Sequence, residues 1–181
     1  MITKGTSFYI QRSARAALKR QDLSQVGLSE LTGTKKTTMN RYMTDSPTPI
    51  ETITHIASVL DDGIFNQQMA NLVFNVLPVM ESEVFSDNPH ALEFLANKEE
   101  KERQERQLEA LYIFSKNVEC ITKADKVRLT QYVAEFLDEM LIETRLVLSI
   151  IDRTDYTFSD MITQRIRYWI HEGYLTKKEG Q

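Results

Sequence analysis

The stretch Leu23-Ser24-Gln25-Val26-Gly27-Leu28-Ser29-Glu30-Leu31-Thr32-Gly33-Thr34-Lys35-Lys36-Thr37-Thr38-Met39-Asn40-Arg41-Tyr42 decides how the rest of the chain is read. Ser24 can cap a short helix that ends before Gly33, and a second short helix runs from about 35 to 43. Two helices joined by so short a turn must meet steeply, and glycine supplies the positive φ that such a turn asks for. Leu28 and Met39 lie one on each helix, placed to pin the crossing. Lys35, Lys36 and Thr37 then project from the start of the second helix, with Asn40 and Arg41 one turn on. These short or polar groups can reach base edges or phosphates. The backbone N–H groups at the helix start add a field that attracts phosphate.

The same stretch resembles the helix-turn-helix of lambda-repressor-like (Cro/CI, XRE) transcription regulators. Gln25, Leu28, Gly33, Thr38, Met39 and Arg41 fill the positions of that family's pattern without a gap, and Ile53, Ile56-Ala57 and Leu60 match its next helix. The resemblance covers about residues 7–63, roughly a third of the chain. It implies that Lys36 and Thr37 read bases, with Arg41 and Asn40 next, and that Gln25 holds a backbone phosphate. Lys35 can do either, and Thr38 belongs to the same DNA-facing set. Two departures stand out. Ser29 occupies a position that usually holds alanine, and Gly27 sits inside the first helix, where it costs about 1 kcal/mol against alanine.

Outward from this motif the chain reads as all-α, because glycine and proline are scarce and no alternating strand pattern is evident. A helix over about 7–20 turns Ile10, Ala14, Ala17 and Leu18 inward and carries Arg12, Arg15 and Lys19 as a basic stripe. Asp45 to Pro49 reads as a loop. A helix over about 50–61 buries Ile50, Ile53, Ala57 and Leu60, and Asp61-Asp62-Gly63 stops it. The next, about 66–77, presents Met69, Leu72, Val73, Val76 and Leu77.

Residues 81–89 read as a linker, with Asn88-Pro89 as the N-cap and first residue of a long helix toward 119. The middle of that helix, Lys98 to Gln107, is almost wholly charged or Gln and is expected to face water. Leu108, Leu111, Ser115 and Val118 resume an apolar seam. Thr122 with Asp125 has the form of a capping box for a helix over about 123–151. Leu129, Val133, Leu137, Leu141, Leu148 and Ile151 line one of its faces, beside Phe136 and Met140. A last helix spans about 158–172 and ends at Gly173. The expected organisation is a helix-turn-helix DNA-binding domain over 1–80, the linker, and a helical domain over 90–181 for dimerisation or partner binding.

Charge is divided along the chain. Residues 1–45 hold eight Lys/Arg against three Asp/Glu, net +5, whereas 46–181 hold fourteen against twenty-three, net −9. A basic head on an acidic body confines phosphate attraction to the head. The single cysteine, Cys120, allows no intrachain disulfide. No leader-like apolar run opens the chain and no stretch approaches the ~18 apolar residues of a membrane span. A cytoplasmic protein is expected. His55, His90 and His171 are scattered, Glu99, Glu100, Glu102 and Glu105 form a charged helix face, and no glycine-rich phosphate loop exists. Neither an enzyme nor a cofactor or metal site is expected. The reading is a sequence-specific transcription regulator of a prophage or mobile element, binding a two-fold operator in double-stranded DNA as a homodimer. The alternative is a protein-binding inhibitor of antitoxin or anti-CRISPR type that uses the helix-turn-helix on its own promoter.

Overall fold

A computed structural model describes residues 6–176. The expected domains begin and end outside this range, with residues 1–5 and 177–181 outside the described residues. The fold is all-α, as expected. Its elements are β1 (Ser7–Phe8), α1 (Gln11–Arg20), α2 (Gln25–Leu31), α3 (Lys36–Thr44), β2 (Thr48–Pro49), α4 (Ile50–Leu60), α5 (Gly63–Phe74), α6 (Pro89–Phe114), α7 (Lys123–Ile151) and α8 (Phe158–His171), with one 3₁₀ turn at Val118–Cys120.

Two compact units emerge: Met1–Pro78 with Thr154–Gln181, and Val79–Arg153. The first break falls close to the expected 80, but α8 groups with the N-terminal residues rather than with the segment 90–181.

In the first unit, Ile10, Ala14, Ala17 and Leu18 meet Leu28, Met39, Met43, Ile53, Ile56, Leu60, Phe65 and Met69 in one core. The expected helix over 7–20 is shorter. Residues 7–8 instead pair antiparallel with 48–49, Ser7 opposite Pro49 and Phe8 opposite Thr48, which joins the start of the unit to the chain between α3 and α4. Alternation over two residues is too short to be seen as a pattern.

The junction of α4 and α5 also differs from expectation. Asp61, not Gly63, takes the left-handed conformation (φ 42°) that ends α4. Asp62 then caps α5 by accepting from the Phe65 N–H at 2.7 Å, so α5 starts at Gly63, three residues early. Asn75 (φ 53°) ends it before Val76. Ile64, Phe65 and Met69 are its buried residues, while Leu72 and Val76 are exposed. Arg20 grips Asp62 through two 2.8 Å hydrogen bonds, Nε to Oδ2 and Nη2 to Oδ1. Burial alone would raise the Asp62 carboxyl, but the Arg20 hydrogen bond, the Phe65 N–H and the Arg20 charge together hold it below the usual carboxylate value.

The second unit is an antiparallel hairpin of α6 and α7. Asn88 caps α6 as expected, accepting from the Ala91 N–H at 3.0 Å, with Pro89 in its first turn. Thr122 and Asp125 form the expected capping box, and α7 keeps its expected bounds. Lys116 adds two 2.9 Å contacts to the same Asp125 carboxylate. The Thr122 backbone N–H, Lys116 and the Thr122 hydroxyl hold Asp125 down to about 2.

Two expectations for α6 are corrected. The charged middle is the place where the helices meet, through Arg103–Glu139, Arg106–Glu135 and Arg128–Glu109. The Arg103 and Glu139 side chains are only 16% and 10% exposed, so one side of this stretch is covered, while Lys98, Lys101, Gln104 and Glu105 on it are exposed. The apolar seam lies elsewhere as well. Leu108, Leu111 and Val118 are exposed, and Leu92, Leu95, Ala110 and Ile113 are the buried residues. The end of the expected linker is tied down, since Asp87 takes Arg145 Nη2 at 2.7 Å on its carboxylate and Ser149 Oγ at 2.8 Å on its carbonyl.

Candidate nucleic-acid interface

The local geometry of α2 and α3 follows from polar side chains bonding their own backbone. Ser24 accepts from the Gly27 N–H at 3.0 Å and starts α2. Leu28 and Met39 are both 0% exposed, one on each helix, and fix how α2 and α3 cross. The turn Thr32–Lys35 between them depends on Gly33, whose φ is +63°, with open space where a Cβ would stand. Backbone conformation is therefore the reason for that glycine.

Two residues that sequence reasoning treated as bystanders lock this turn. Ser29, 3% exposed, donates from Oγ to the Thr34 carbonyl at 2.7 Å. Thr32 donates to the Leu28 carbonyl at 2.8 Å, and its Oγ1 lies 3.1 Å from Thr34 Oγ1. Ser29 thus replaces the expected alanine with a small side chain that also bonds the turn. Gly27 has its own reason, because a Cβ there would stand 2.8 Å from Leu23 Cδ1.

On α3, Lys36, Thr37, Asn40 and Arg41 are exposed, at positions that share one side of a helix, with Lys35 exposed just before them. Thr38 is half-buried. Met39 and Met43 are buried and join the core of the first unit. Gln25, half-buried at the first position of α2, donates from Nε2 to Asn40 Oδ1 at 3.2 Å. The residue expected to hold a phosphate is therefore bonded to one expected to read a base. Lys36 Nζ lies 3.2 Å from Glu30 Oε1, with both side chains more than 60% exposed. In water such a pair contributes only ~0–1 kcal/mol and yields readily to a phosphate. No side chain caps the start of α3, so its first-turn amides keep their outward field.

The other end of α3 is held by α1. Arg15 Nη2 donates to the Met43 carbonyl at 2.6 Å, and Gln11 Nε2 to the Ser46 carbonyl at 3.3 Å. Arg15 therefore serves as a clamp as well as a member of the basic stripe, in which it stays exposed with Arg12 and Lys19. The signal was present in the sequence as an arginine on α1, but its partner lies 28 residues away.

Elsewhere the chemistry is sparse. Carboxylate oxygens of Glu99, Glu135 and Asp138 come within 4.8 Å of one another at the hairpin surface. Exposed acidic groups of this kind are common without an ion. Among the described residues no helix is long and apolar enough to cross a membrane. No protein-family model matches the chain, and neither a curated protein nor a solved structure matches it.

Proposed function

We propose that the chain is a DNA-binding transcription regulator of the lambda-repressor-like helix-turn-helix kind. The observation that carries the reading is the exposed row Lys36, Thr37, Asn40 and Arg41 on a helix pinned to the core by Met39 and Met43. A rigid helix with short polar groups and two cations on its outer side suits the major groove, where each base pair presents its own donor and acceptor pattern. Gln25 and the α3 amides supply backbone contacts that set register. A small domain reads too few base pairs to find one site in a genome. Two copies entering successive major grooves about 34 Å apart solve this, and the operator is then two-fold symmetric. Control of a prophage or mobile element in the cytoplasm is the setting in which we place it.

Genome-wide mapping of bound DNA, followed by binding to the mapped site in vitro, tests the proposal. The expected result is a small set of sites sharing a two-fold motif, lost in a Lys36/Thr37/Arg41 triple alanine variant that still folds. Uniform binding to all duplexes, or none, would end it.

A further inference from the structure

The hairpin Val79–Arg153 buries only seven apolar side chains: Leu92, Leu95, Ala110, Ile113, Ile142, Leu146 and Leu148. Two helices of 26 and 29 residues that meet over so few apolar groups leave most of their surface unmatched. What α7 leaves open is ordered. Val133, Leu137, Met140, Thr144, Val147 and Ile151 recur at alternating steps of four and three, which is the spacing of a coiled-coil seam. At about 100° per residue this row lies opposite Ile142, Arg145, Leu146 and Ser149, four of the seven buried residues of α7, while Leu148 is buried on its flank. Val133, Leu137, Met140 and Val147 are 44–54% exposed, and Thr144 and Ile151 are half-buried. The row holds no charged residue, and Glu143 stands at its edge.

We infer that this row is the contact by which two copies of the chain pair, α7 against α7, antiparallel about a two-fold axis at the level of Ile142. The inference deepens the two-copy reading of the operator and rests on it only for its biological use.

Self-complementarity selects the occupant. In the antiparallel register Val133 meets Ile151 of the second copy, Leu137 meets Val147, and Met140 meets Thr144. Every member of the row is then covered and none overhangs, which is the condition for a closed, isologous pair. Charge argues against the other occupants. The hairpin carries ten Lys/Arg against sixteen Asp/Glu, net −6, which repels nucleic acid and anionic lipid. A basic peptide would find no carboxylate within the row itself. The row is about 27 Å long at ~1.5 Å per residue. One helix-wide strip of that length falls below the ~800 Å² per partner of a standard interface, so the pair forms reversibly and its population depends on concentration.

The test uses the full chain. Sedimentation from about 1 to about 300 µM should show the mass rising from one chain toward two. Leu137→Glu with Val147→Glu should stay at one chain throughout, with the wild type's thermal transition at the low concentrations where both are single chains, because both side chains are about half exposed. Orientation is read separately in a Cys120→Ser background. Leu137→Cys mixed with Val147→Cys should give the mixed disulfide in excess of either like pair. If the glutamate variant unfolds, this cross-link still decides. A wild-type mass fixed at one chain would overturn the inference, and is the result expected if another protein covers the row. Predominant Leu137→Cys self-cross-links would overturn the antiparallel pairing. Solution mass is blind to DNA, so failure here and failure at the operator are distinguishable.

Discussion

Gln25 Nε2 donates to Asn40 Oδ1 across 3.2 Å, joining the first residue of α2 to the second turn of α3. The bond lies at the surface, where a neutral hydrogen bond contributes on the order of 1 kcal/mol or less. Its value is positional, because a contact made by α2 to the DNA backbone fixes where the α3 side chains fall along the groove.

The recognition row gives the first prediction. Lys36→Ala or Thr37→Ala should cost about 1–3 kcal/mol at the specific site and relax preference at one base position. Gln25→Ala should weaken all sequences more evenly, and should also release Asn40. Titration against a panel of single-base operator variants separates the two patterns. Identical base preferences in wild type and Lys36→Ala would remove Lys36 from the reading set.

Salt gives the second. The proposed interface carries Lys35, Lys36 and Arg41, and the Lys36 pair with Glu30 is exposed. Operator affinity should therefore fall steeply between low and physiological salt, following counterion release. Lys36→Ala should flatten the slope of log affinity against log salt by about one unit. A slope near zero in the wild type would contradict the phosphate contacts.

The third concerns stability. Asp62 caps α5 and takes both Arg20 hydrogen bonds while 5% exposed. Asp62→Ala removes the cap and leaves Arg20, whose side chain is 30% exposed, without its carboxylate, at a cost of about 1–2 kcal/mol. Urea unfolding of the full chain measures it. A loss under ~0.5 kcal/mol would place this pair with ordinary surface ion pairs.

Acid should loosen the hairpin through Asp125. Its folded value is about 2 against an ordinary 3.8. A depressed carboxyl contributes stability above its unfolded value, and that contribution fades as pH falls through the folded one. The window is therefore pH 4 to 2. Asp125→Asn keeps the shape but removes the titration, so its melting temperature should fall less steeply than the wild type's across that window. Parallel curves would show that Asp125 does not drive the acid response.

How much of this was legible in sequence depends on how far apart the partners lie. The start of α7 could be read because Thr122 and Asp125 are three residues apart and satisfy each other. The α2–α3 crossing could be read because Leu28, Gly33 and Met39 sit within one short segment. The onset of α5 could not, since Asp62 is fixed partly by Arg20, 42 residues earlier. The packing face of α6 was misread for the same reason. Arg103 and Arg106 look solvated until Glu139 and Glu135 arrive from the other arm. Nothing local could show that Arg15 would clamp the Met43 carbonyl.

The ladder Arg103–Glu139, Arg106–Glu135 and Glu109–Arg128 also indexes one arm of the hairpin against the other. Slipping the arms by four residues brings Arg103 toward Glu135, but it sets Arg106 against Gln131 and Glu109 against Ala124, so two of the three rungs are lost. Leucine rows alone would tolerate that slip; this pattern of charges does not. The two arms therefore differ from their connection in what changes of length they can absorb. A residue inserted between Leu95 and Arg103 swings the cations about 100° away from the face that Leu92 and Leu95 define. One inserted near Asn117, outside both helices, leaves every rung of the ladder in place.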